Sequence, residues 1–583
     1  MKKLKIFIPV YLACIFLAAC EQADFLEYKP QGVLSEEQLS TPDAVEKLCN
    51  AAYATMAAGH WRAPYNSKWM WSSVRSDDAY KGGGGTNDQG QWNLFEGFKY
   101  GTPQEGGWAG PDKMWVDLYS CIQRTNVALR SLNELSEEDF PARASRIAEM
   151  RFLRAHYYFS LKVLFKYIPF IDENLTEEEI KTVSNQALTD QALWAKIADE
   201  FKYAADNLPP TQDQIGRATK YAATAYLAKT RLYQAYEQNE EHQVTNINAE
   251  YLTEVIALTD EVINSGQYAL FDDISKNFIW DFDNGMESLF SVQYSVDDGT
   301  PMGNVNMEEA LNYNTSPRYG CCSFHQPSQN MVNAFKTDPE TGLPMFDTFN
   351  EVPMINPEDF QTNTVDPRLD HTVGIPGHPF KYDADFVYSV GWVRDPDTYG
   401  PFSPMRSVQH PDSPSKTVAK GYAYDTDSKN KDIIRFDEVL LWKAEALIQL
   451  NRIEEARQII NEIRRRALNS MSQLAYPDGE TFSNYYMREY EPGVNCDWTQ
   501  DFAMQALMWE RRLELATEGE RFYDLVRWGI AAEVLNPYFD KEREYRVHLK
   551  EAEFTKGKHE YLPIPQAQID LSEGIYIQNV GYN

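Results

Sequence analysis

The sequence predicts a mostly α-helical protein, in which a scaffold of tetratricopeptide-like helical hairpins carries two large loop-rich, irregular insertions. Apolar residues recur at spacings of three and four over several long segments, which is typical of helices that bury one face. Two long blocks lack this period and are rich in Pro, Gly, Asn and Asp. The 583 residues are enough for a large core and, by length alone, for two or more domains.

The helical scaffold is expected at about 41–60, 112–267 and 430–520. Thr41 and Pro42 open its first helix with a side-chain cap and a proline in the first turn. Residues 434–467 are predicted to form a helix, a break at Asn451-Arg452 and a second helix, which is the form of one tetratricopeptide unit. Hairpins of this kind bury their inner faces against neighbouring hairpins.

The two insertions, at about 60–112 and 268–430, are expected to carry the ligand-binding residues, because long loops in compact proteins are usually functional. The first contains the run Gly82-Gly83-Gly84-Gly85, which cannot lie inside a helix. No Lys-Ser or Lys-Thr follows it, so a phosphate-binding loop is not indicated. The run favours a hinge, or a close approach of the backbone beside a ligand.

The N-terminus has the features of a secretory signal. Three lysines precede an apolar run that ends at Leu17, and residues 1–19 are therefore expected to be removed. Cys20 directly follows Leu17-Ala18-Ala19, as in a bacterial lipobox, which predicts acylation of its thiol. Acyl chains on Cys20 would anchor the mature protein, residues 20–583, to a membrane. An ordinary secretory peptide is the alternative.

The composition excludes several classes of partner. Lys and Arg total 55 against 87 Asp and Glu, which gives a net charge of −32 and a surface that repels nucleic acid. The nine histidines lack the spacing of a transition-metal site, and no cofactor is expected. Calcium at an acidic loop such as Asp272-Asp273 or Asp425-Thr426-Asp427 is the alternative, although neither loop has the spaced ligands of a known calcium loop. Five cysteines remain after the lipobox, match no disulfide scaffold and are expected to be buried free thiols: Cys49, Cys121, Cys321, Cys322 and Cys496.

The segment from Glu510 to Arg527 is dense in both signs of charge. Glu510, Glu514 and Glu518 would share one helical face, with arginines interleaved to pair with them. Carboxylate pairs can perform acid–base catalysis, but this pattern favours a buried ion-pair network that fixes the helix end. No catalytic residue is predicted.

Several segments together resemble the SusD/RagB family of surface lipoproteins of Bacteroidetes, namely 151–159, 216–219, 434–446, 510–529, 561–565 and 578–582. The resemblance implies a tetratricopeptide-like domain with an irregular capping region. It also implies a non-enzymatic protein on the outer membrane, facing outward. Such proteins bind a glycan and pass it to a TonB-dependent, SusC-like barrel.

A glycan site needs flat apolar rings for the C–H face of a sugar and short polar groups for its hydroxyls. Each insertion offers such a set. The candidates in the first are Trp61, Trp69, Trp71, Asp77, Asp78 and Trp92, and those in the second are Tyr319, Cys322, Trp392, Arg394 and Tyr399. In the family, the stretch before a Pro-x-Gln motif often lies beside the ligand, which implies that role for Tyr319 and Cys322. The alternative for each tryptophan is a place in the core.

Two other functions stay open at this point. A surface glycoside hydrolase would need two opposed carboxylates, for which Asp77 and Asp78 are the only nominees. A tetratricopeptide-type adaptor for peptides would use the helical scaffold instead, and would not need the aromatic-rich insertions.

Overall fold

The computed structural model describes residues 41–101, 110–300, 303–418 and 425–582. The predicted signal peptide and the lipidation site Cys20 lie outside these residues. Among the helices of the described ranges, none combines the length and the apolar composition needed to cross a bilayer.

Helices form most of the regular structure. In chain order, α1 to α18 span Pro42–Ala54, Gly90–Glu96, Pro111–Glu134, Arg143–Phe165, Glu177–Ile180, Asp190–Asn207, Lys220–Ala235, Ala249–Asn264, Gln329–Ala334, Pro357–Thr362, Arg368–Thr372, Pro396–Tyr399, Phe436–Gln449, Ile453–Asn469, Gln500–Glu514, Arg521–Trp528, Ala531–Glu542 and Gln566–Leu571. Several begin where the sequence places a cap. The side chains of Thr189, Thr219 and Asn248 each accept a hydrogen bond from a backbone N–H in the first turn of α6, α7 and α8.

The strands are short. In chain order, β1 to β12 span Ala79–Gly82, Tyr236–Gln238, Val244–Ile247, Ser288–Val292, Phe324–Pro327, Val373–Gly374, Pro379–Phe380, Asp383–Val387, Ser403–Pro404, Lys416–Val418, Asp425–Asp427 and Lys431–Arg435. They form the antiparallel pairs β1–β5, β2–β3, β4–β12, β6–β9, β7–β8 and β10–β11.

The scaffold is a succession of packed helices. Helix α3 packs on α4, α4 on α6, α6 on α7, α7 on α8, and α8 on α13. The hairpin predicted at 434–467 is present as α13 and α14, which pack on each other. Asn451 lies in the connection and has a φ of +60°, a left-handed conformation that asparagine tolerates well. The predicted fold class is therefore confirmed.

Two local predictions are wrong. Residues 432–435 were expected to continue the helical pattern, but they form strand β12 against β4, because Ile433 and Ile434 are β-branched and pack well in a strand. The helical scaffold was expected to end at about 520, but the chain continues beyond it with helices α16, α17 and α18.

The two insertions meet through β1 and β5, where Ala79 faces Pro327 and Gly82 faces Phe324. The second insertion also contributes to two small apolar cores, one of which it shares with Leu513 and Ala516. One of them consists mainly of aromatic side chains, namely Tyr313, Tyr319, Phe380, Phe386 and Tyr388, with Trp392 packed against it. This aromatic core holds the loops that carry the second set of candidate residues.

The predicted buried ion-pair network is present, with different partners. Glu510 pairs with Arg368 at 2.6 Å and Arg464 at 3.2 Å, and Glu514 pairs with Arg368 at 2.9 Å and with Arg466. The interleaved arginines point to other carboxylates, because adjacent positions on a helix do not share a face. Arg511, for example, pairs with Asp524 at 2.7 Å.

Candidate functional site

The tryptophans of the first insertion lie inside the protein. Trp69, Trp71 and Trp92 have no exposed surface, and Trp61 is 7% exposed. Trp92 meets Trp61 and Trp69 edge to face, with ring centroids 6.0 and 5.4 Å away. The prediction that these rings are exposed to a ligand is wrong, because they pack against each other and fill the main core.

Asp77 and Asp78 are also buried. Asp77 pairs with Arg521 at 2.9 Å and with Arg512 at 3.0 Å, and Asp78 lies 3.5 Å from Arg512. Burial alone would raise the pKa of Asp77, but the two arginines outweigh it and lower that pKa to about 2. Burial raises the pKa of Asp78 to about 6. These acids join the first insertion to α15 and α16, so the prediction that they face a ligand is wrong.

In the second insertion, Tyr319 and Tyr399 are buried as well. The Tyr319 hydroxyl donates a hydrogen bond of 2.6 Å to the backbone oxygen of Gln409, and its ring packs on Tyr313 at 5.0 Å. The Tyr399 ring lies 5.3 Å from the Lys81 ammonium group. The expected ligand contacts of both tyrosines are therefore replaced by contacts within the protein.

Cys322 is 4% exposed and forms a disulfide with Cys321, which is half-buried. The prediction of free thiols is wrong for this pair. Cys49, Cys121 and Cys496 are free.

Trp392 and Arg394 remain at the surface. Trp392 is half-buried and stacks on Phe386 with centroids 4.7 Å apart, whereas Arg394 is exposed. The backbone oxygen of Trp392 accepts hydrogen bonds from Thr315 N at 2.9 Å and Ser323 Oγ at 3.0 Å. These bonds hold the 392–394 segment beside the disulfide.

Arg394 also joins the two insertions. Its Nη1 donates to Asp88 Oδ2 at 2.6 Å and to the backbone oxygen of Cys322 at 3.4 Å. The backbone N–H of Gly84 donates to the same Asp88 oxygen at 2.9 Å. A Cβ on Gly84 would lie 2.6 Å from Arg394 Nη2, so the glycine run lets the backbone lie against the guanidinium group.

Six neighbouring residues are here called the rim, and all of them except the buried Cys322 reach the surface: Gly84, Asp88, Cys321, Cys322, Trp392 and Arg394. The sequence prediction missed Asp88 and Cys321. Asp88 had a local signal, since an aspartate that closely follows a glycine run is typical of a turn that its side chain stabilises.

A cavity of about 720 Å³ lies elsewhere. It is lined by residues of α3, such as Tyr119 and Arg130, and by the segment 171–180. None of the predicted site residues lines it.

The chain belongs to the SusD family. Residues 286–582, just over half of the chain, match the profile of that family, and residues 24–232 match a profile described as "Starch-binding associating with outer membrane". The resemblance seen in the sequence is thereby confirmed.

Similar proteins span the whole chain. The SusD-like protein P38 of Formosa agariphila is 25% identical over 554 residues, which cover 92% of this chain and 94% of that protein. The solved structure of surface glycan-binding protein A from Bacteroides thetaiotaomicron in complex with laminarihexaose is 21% identical, with a TM-score of 0.63. The alignment covers 92% of this chain and 99% of that one, and it shows a shared fold.

Proposed function

We propose that this protein binds an oligosaccharide or polysaccharide at the cell surface and delivers it to a TonB-dependent, SusC-like outer-membrane transporter. The rim carries the proposal, because it holds a guanidinium–carboxylate pair at the surface of the loop-rich region, two positions along the chain from the half-buried Trp392. Similar folds include a structure described as a laminarin-binding SusD-like protein, which supports a glycan as the ligand.

The chemistry of the rim suits a sugar. The Trp392 ring offers a flat apolar surface to the C–H face of a pyranose. Arg394 offers donors, and Asp88 offers acceptors, to hydroxyl groups. Affinity for a single site should be in the micromolar to millimolar range, because a well-hydrated sugar gains little free energy per hydroxyl.

The binding test is affinity electrophoresis through gels that contain laminarin, starch, xylan or galactomannan. At least one of these polysaccharides should retard the wild-type protein. Arg394→Ala should reduce the retardation, whereas Arg452→Ala should not, since Arg452 forms an exposed pair with Glu455 far along the chain. Equal mobility of the wild type in all gels would contradict the proposal.

Asp77 and Asp78, the acids considered for a glycoside hydrolase, are buried beside arginines and do not face a cleft. We therefore propose a binding protein without catalytic activity. Incubation of the purified protein with the polysaccharide that retards it should release no shorter products. Reproducible release would favour the hydrolase instead.

Anchoring and delivery are separate proposals. They rest on the lipobox ending at Cys20 and on the family description of association with the outer membrane. Cys20→Ala should leave the protein soluble or unprocessed, whereas the wild type should be found in the outer-membrane fraction. Detergent extracts of that fraction should yield a large barrel protein that co-purifies with the wild type. Unchanged membrane fractionation of the variant would contradict the anchor, and absence of a co-purifying barrel would contradict delivery.

A further inference from the structure

We infer that a cavity beside α1 is a second binding site for an uncharged sugar unit, so that one polysaccharide chain is held at two places. The cavity has a volume of about 280 Å³ and lies where the end of α1, the loop before α7 and the end of β4 meet. Among the described residues that line it there is neither a rim residue nor any other residue predicted from the sequence to bind a ligand. The inference rests on the proposed function and adds a site at the border between the helical scaffold and the second insertion.

The walls of this cavity are fixed by the fold. The loop before α7 approaches the chain after β4 closely at Gly216, whose φ is +90°. A Cβ there would lie 2.4 Å from Gln293 Cγ, so only glycine permits this approach. Asn304 is held by two backbone hydrogen bonds of 2.8 Å to Ser295. Because these walls are formed before a ligand arrives, little conformational entropy is lost on binding.

The charge in this cavity is neutralised within the protein. Of the described residues that line it, only Arg217 carries a charge. Its Nη1 donates to Glu149 Oε2 at 2.7 Å, and its Nη2 donates to Glu46 Oε1 at 2.6 Å. Arg146 pairs with the same two glutamates at 2.7 and 2.8 Å, so two cations balance two carboxylates. A charged sugar would lose hydration here without gaining an ion pair, which favours an uncharged ligand.

The same arginine orients two amide side chains. Its Nη2 also donates to Asn50 Oδ1 at 2.8 Å, and its Nε donates to Gln214 Oε1 at 2.5 Å. Because the amide oxygens accept these bonds, both NH₂ groups remain as donors. Within the described ranges neither NH₂ group has an acceptor, and the side-chain oxygen of Asn304 has no donor. A sugar hydroxyl both donates and accepts, so hydroxyls match all three groups.

Apolar side chains line the rest of the cavity. Tyr53 is half-buried, and its hydroxyl accepts a hydrogen bond of 2.9 Å from Ala218 N. Ile215, which also lines the cavity, is 74% exposed. These side chains suit the C–H groups of a pyranose, for which an aromatic ring is a good partner. A purely aliphatic ligand would leave the amide groups unpaired, so a sugar fits both walls better.

The first test fills the cavity. Ala54 lines it and is exposed at the end of α1, so Ala54→Leu adds bulk there without disturbing the core. Leucine offers no flat ring to a sugar. The gels contain laminarin, starch, xylan or galactomannan, as in the binding test. Ala54→Leu should bind the retarding polysaccharide about tenfold more weakly than the wild type, because a polymer held at two places loses one of them.

Ala58→Leu is the matched control for this variant. Ala58 is also exposed but does not line the cavity, so its variant should bind like the wild type. The double variant Arg394→Ala, Ala54→Leu should lose the retardation that remains in Arg394→Ala. Circular dichroism confirms the folding of each variant.

Asn50→Asp is an independent variant. The new carboxylate keeps an oxygen for Arg217 but has no NH₂ group, so binding should weaken about two- to tenfold. Asn133→Asp makes the same change of charge at an exposed position of α3 and should bind like the wild type. If Ala54→Leu does not fold, Asn50→Asp decides the test.

The outcomes separate the inference from the proposed function. If a neutral polysaccharide retards the wild type, Ala54→Leu and Asn50→Asp equally, the inference is overturned and the proposed function stands. If polygalacturonate retards the wild type more strongly than any neutral polymer, and Ala54→Leu removes that retardation, the uncharged class is overturned. If no polysaccharide retards the wild type, the proposed function fails, and the inference fails with it.

Discussion

The two insertions contain the same kinds of residue and put them to different uses. The first places Trp69, Trp71 and Trp92 in the core, whereas the second leaves Trp392 half-buried beside the exposed Arg394. The difference lies in the charged partners. Asp77 of the first insertion is enclosed by two arginines from α15 and α16. In the rim, by contrast, Asp88 pairs with Arg394, whose side chain is 36% exposed. A tryptophan near an aspartate in the sequence therefore does not by itself indicate a binding site. In these two insertions, the partners of the aspartate distinguish a buried position from a surface position.

The largest expected effect is the loss of an arginine from the buried network. Arg368 has no exposed surface and pairs with Asp366, Glu510 and Glu514 at 2.6–2.9 Å. Arg368→Ala would leave three buried carboxylates without it, so we expect the free energy of unfolding to fall by about 5 kcal/mol. Urea unfolding measures this change.

The exposed Arg452–Glu455 pair is the control for this variant. Arg452→Ala should change the free energy of unfolding by no more than about 1 kcal/mol, because an exposed ion pair contributes little. Equal effects of the two variants would show that burial of the network is unimportant to stability.

The next effect tests the first insertion as core. Trp69 is fully buried, and its Nε1 donates a 2.9 Å hydrogen bond to the backbone oxygen of Glu308. Trp69→Ala should lower the free energy of unfolding by about 3–5 kcal/mol through the cavity it leaves. The folded fraction should bind the polysaccharide with unchanged affinity. A stable Trp69→Ala protein that no longer binds would place the site in the first insertion.

Trp392→Ala should show the reverse pattern. Because the ring is only half-buried, its removal should change stability little, whereas affinity should fall by about 1–3 kcal/mol, or roughly five- to 150-fold. Isothermal titration with a soluble oligosaccharide measures the affinity, and the melting temperature measures stability. Unaltered affinity with a large loss of stability would reassign Trp392 to the aromatic core beneath it.

The smallest effect concerns pH. Burial raises the pKa of Asp427 to about 7, against the hydrogen bonds from Tyr313 and from Lys429 N, which favour the charged form. Because the folded pKa is raised, the stability contributed by this group is fully present below the unfolded pKa of about 4 and is lost as the pH rises through about 7. Asparagine does not ionise, so the Asp427→Asn variant does not lose this contribution as the pH rises.

From pH 5.5 to pH 8, we therefore expect the stability of the Asp427→Asn variant relative to wild type to rise by about 1–2 kcal/mol. Exposed Asp281→Asn should show no such trend. The same relative stability of Asp427→Asn at both pH values would mean that Asp427 is ionised across this range.

Helix positions were predictable because their signals are local. The scaffold range expected to end at about 267 closes with α8, which ends at Asn264 and is capped by Asn248 at its start, and the hairpin breaks at Asn451 as expected. The exposure of the tryptophans was not predictable, because it depends on distant partners such as the Glu308 oxygen for Trp69. The rim likewise joins Asp88 to Arg394, which lie 306 positions apart in the sequence.

The central claim is that the sugar binds at the rim, whereas the tryptophans of the first insertion belong to the core and do not contact the sugar. The most direct measurement is a crystal structure of the protein with a hexasaccharide of the polymer that retards it most, laminarihexaose in the case of laminarin. We expect one pyranose ring over Trp392, with its hydroxyls about 2.7–3.2 Å from Arg394. A hexasaccharide bound in the cavity between α3 and the segment 171–180, with none at the rim, would contradict the account.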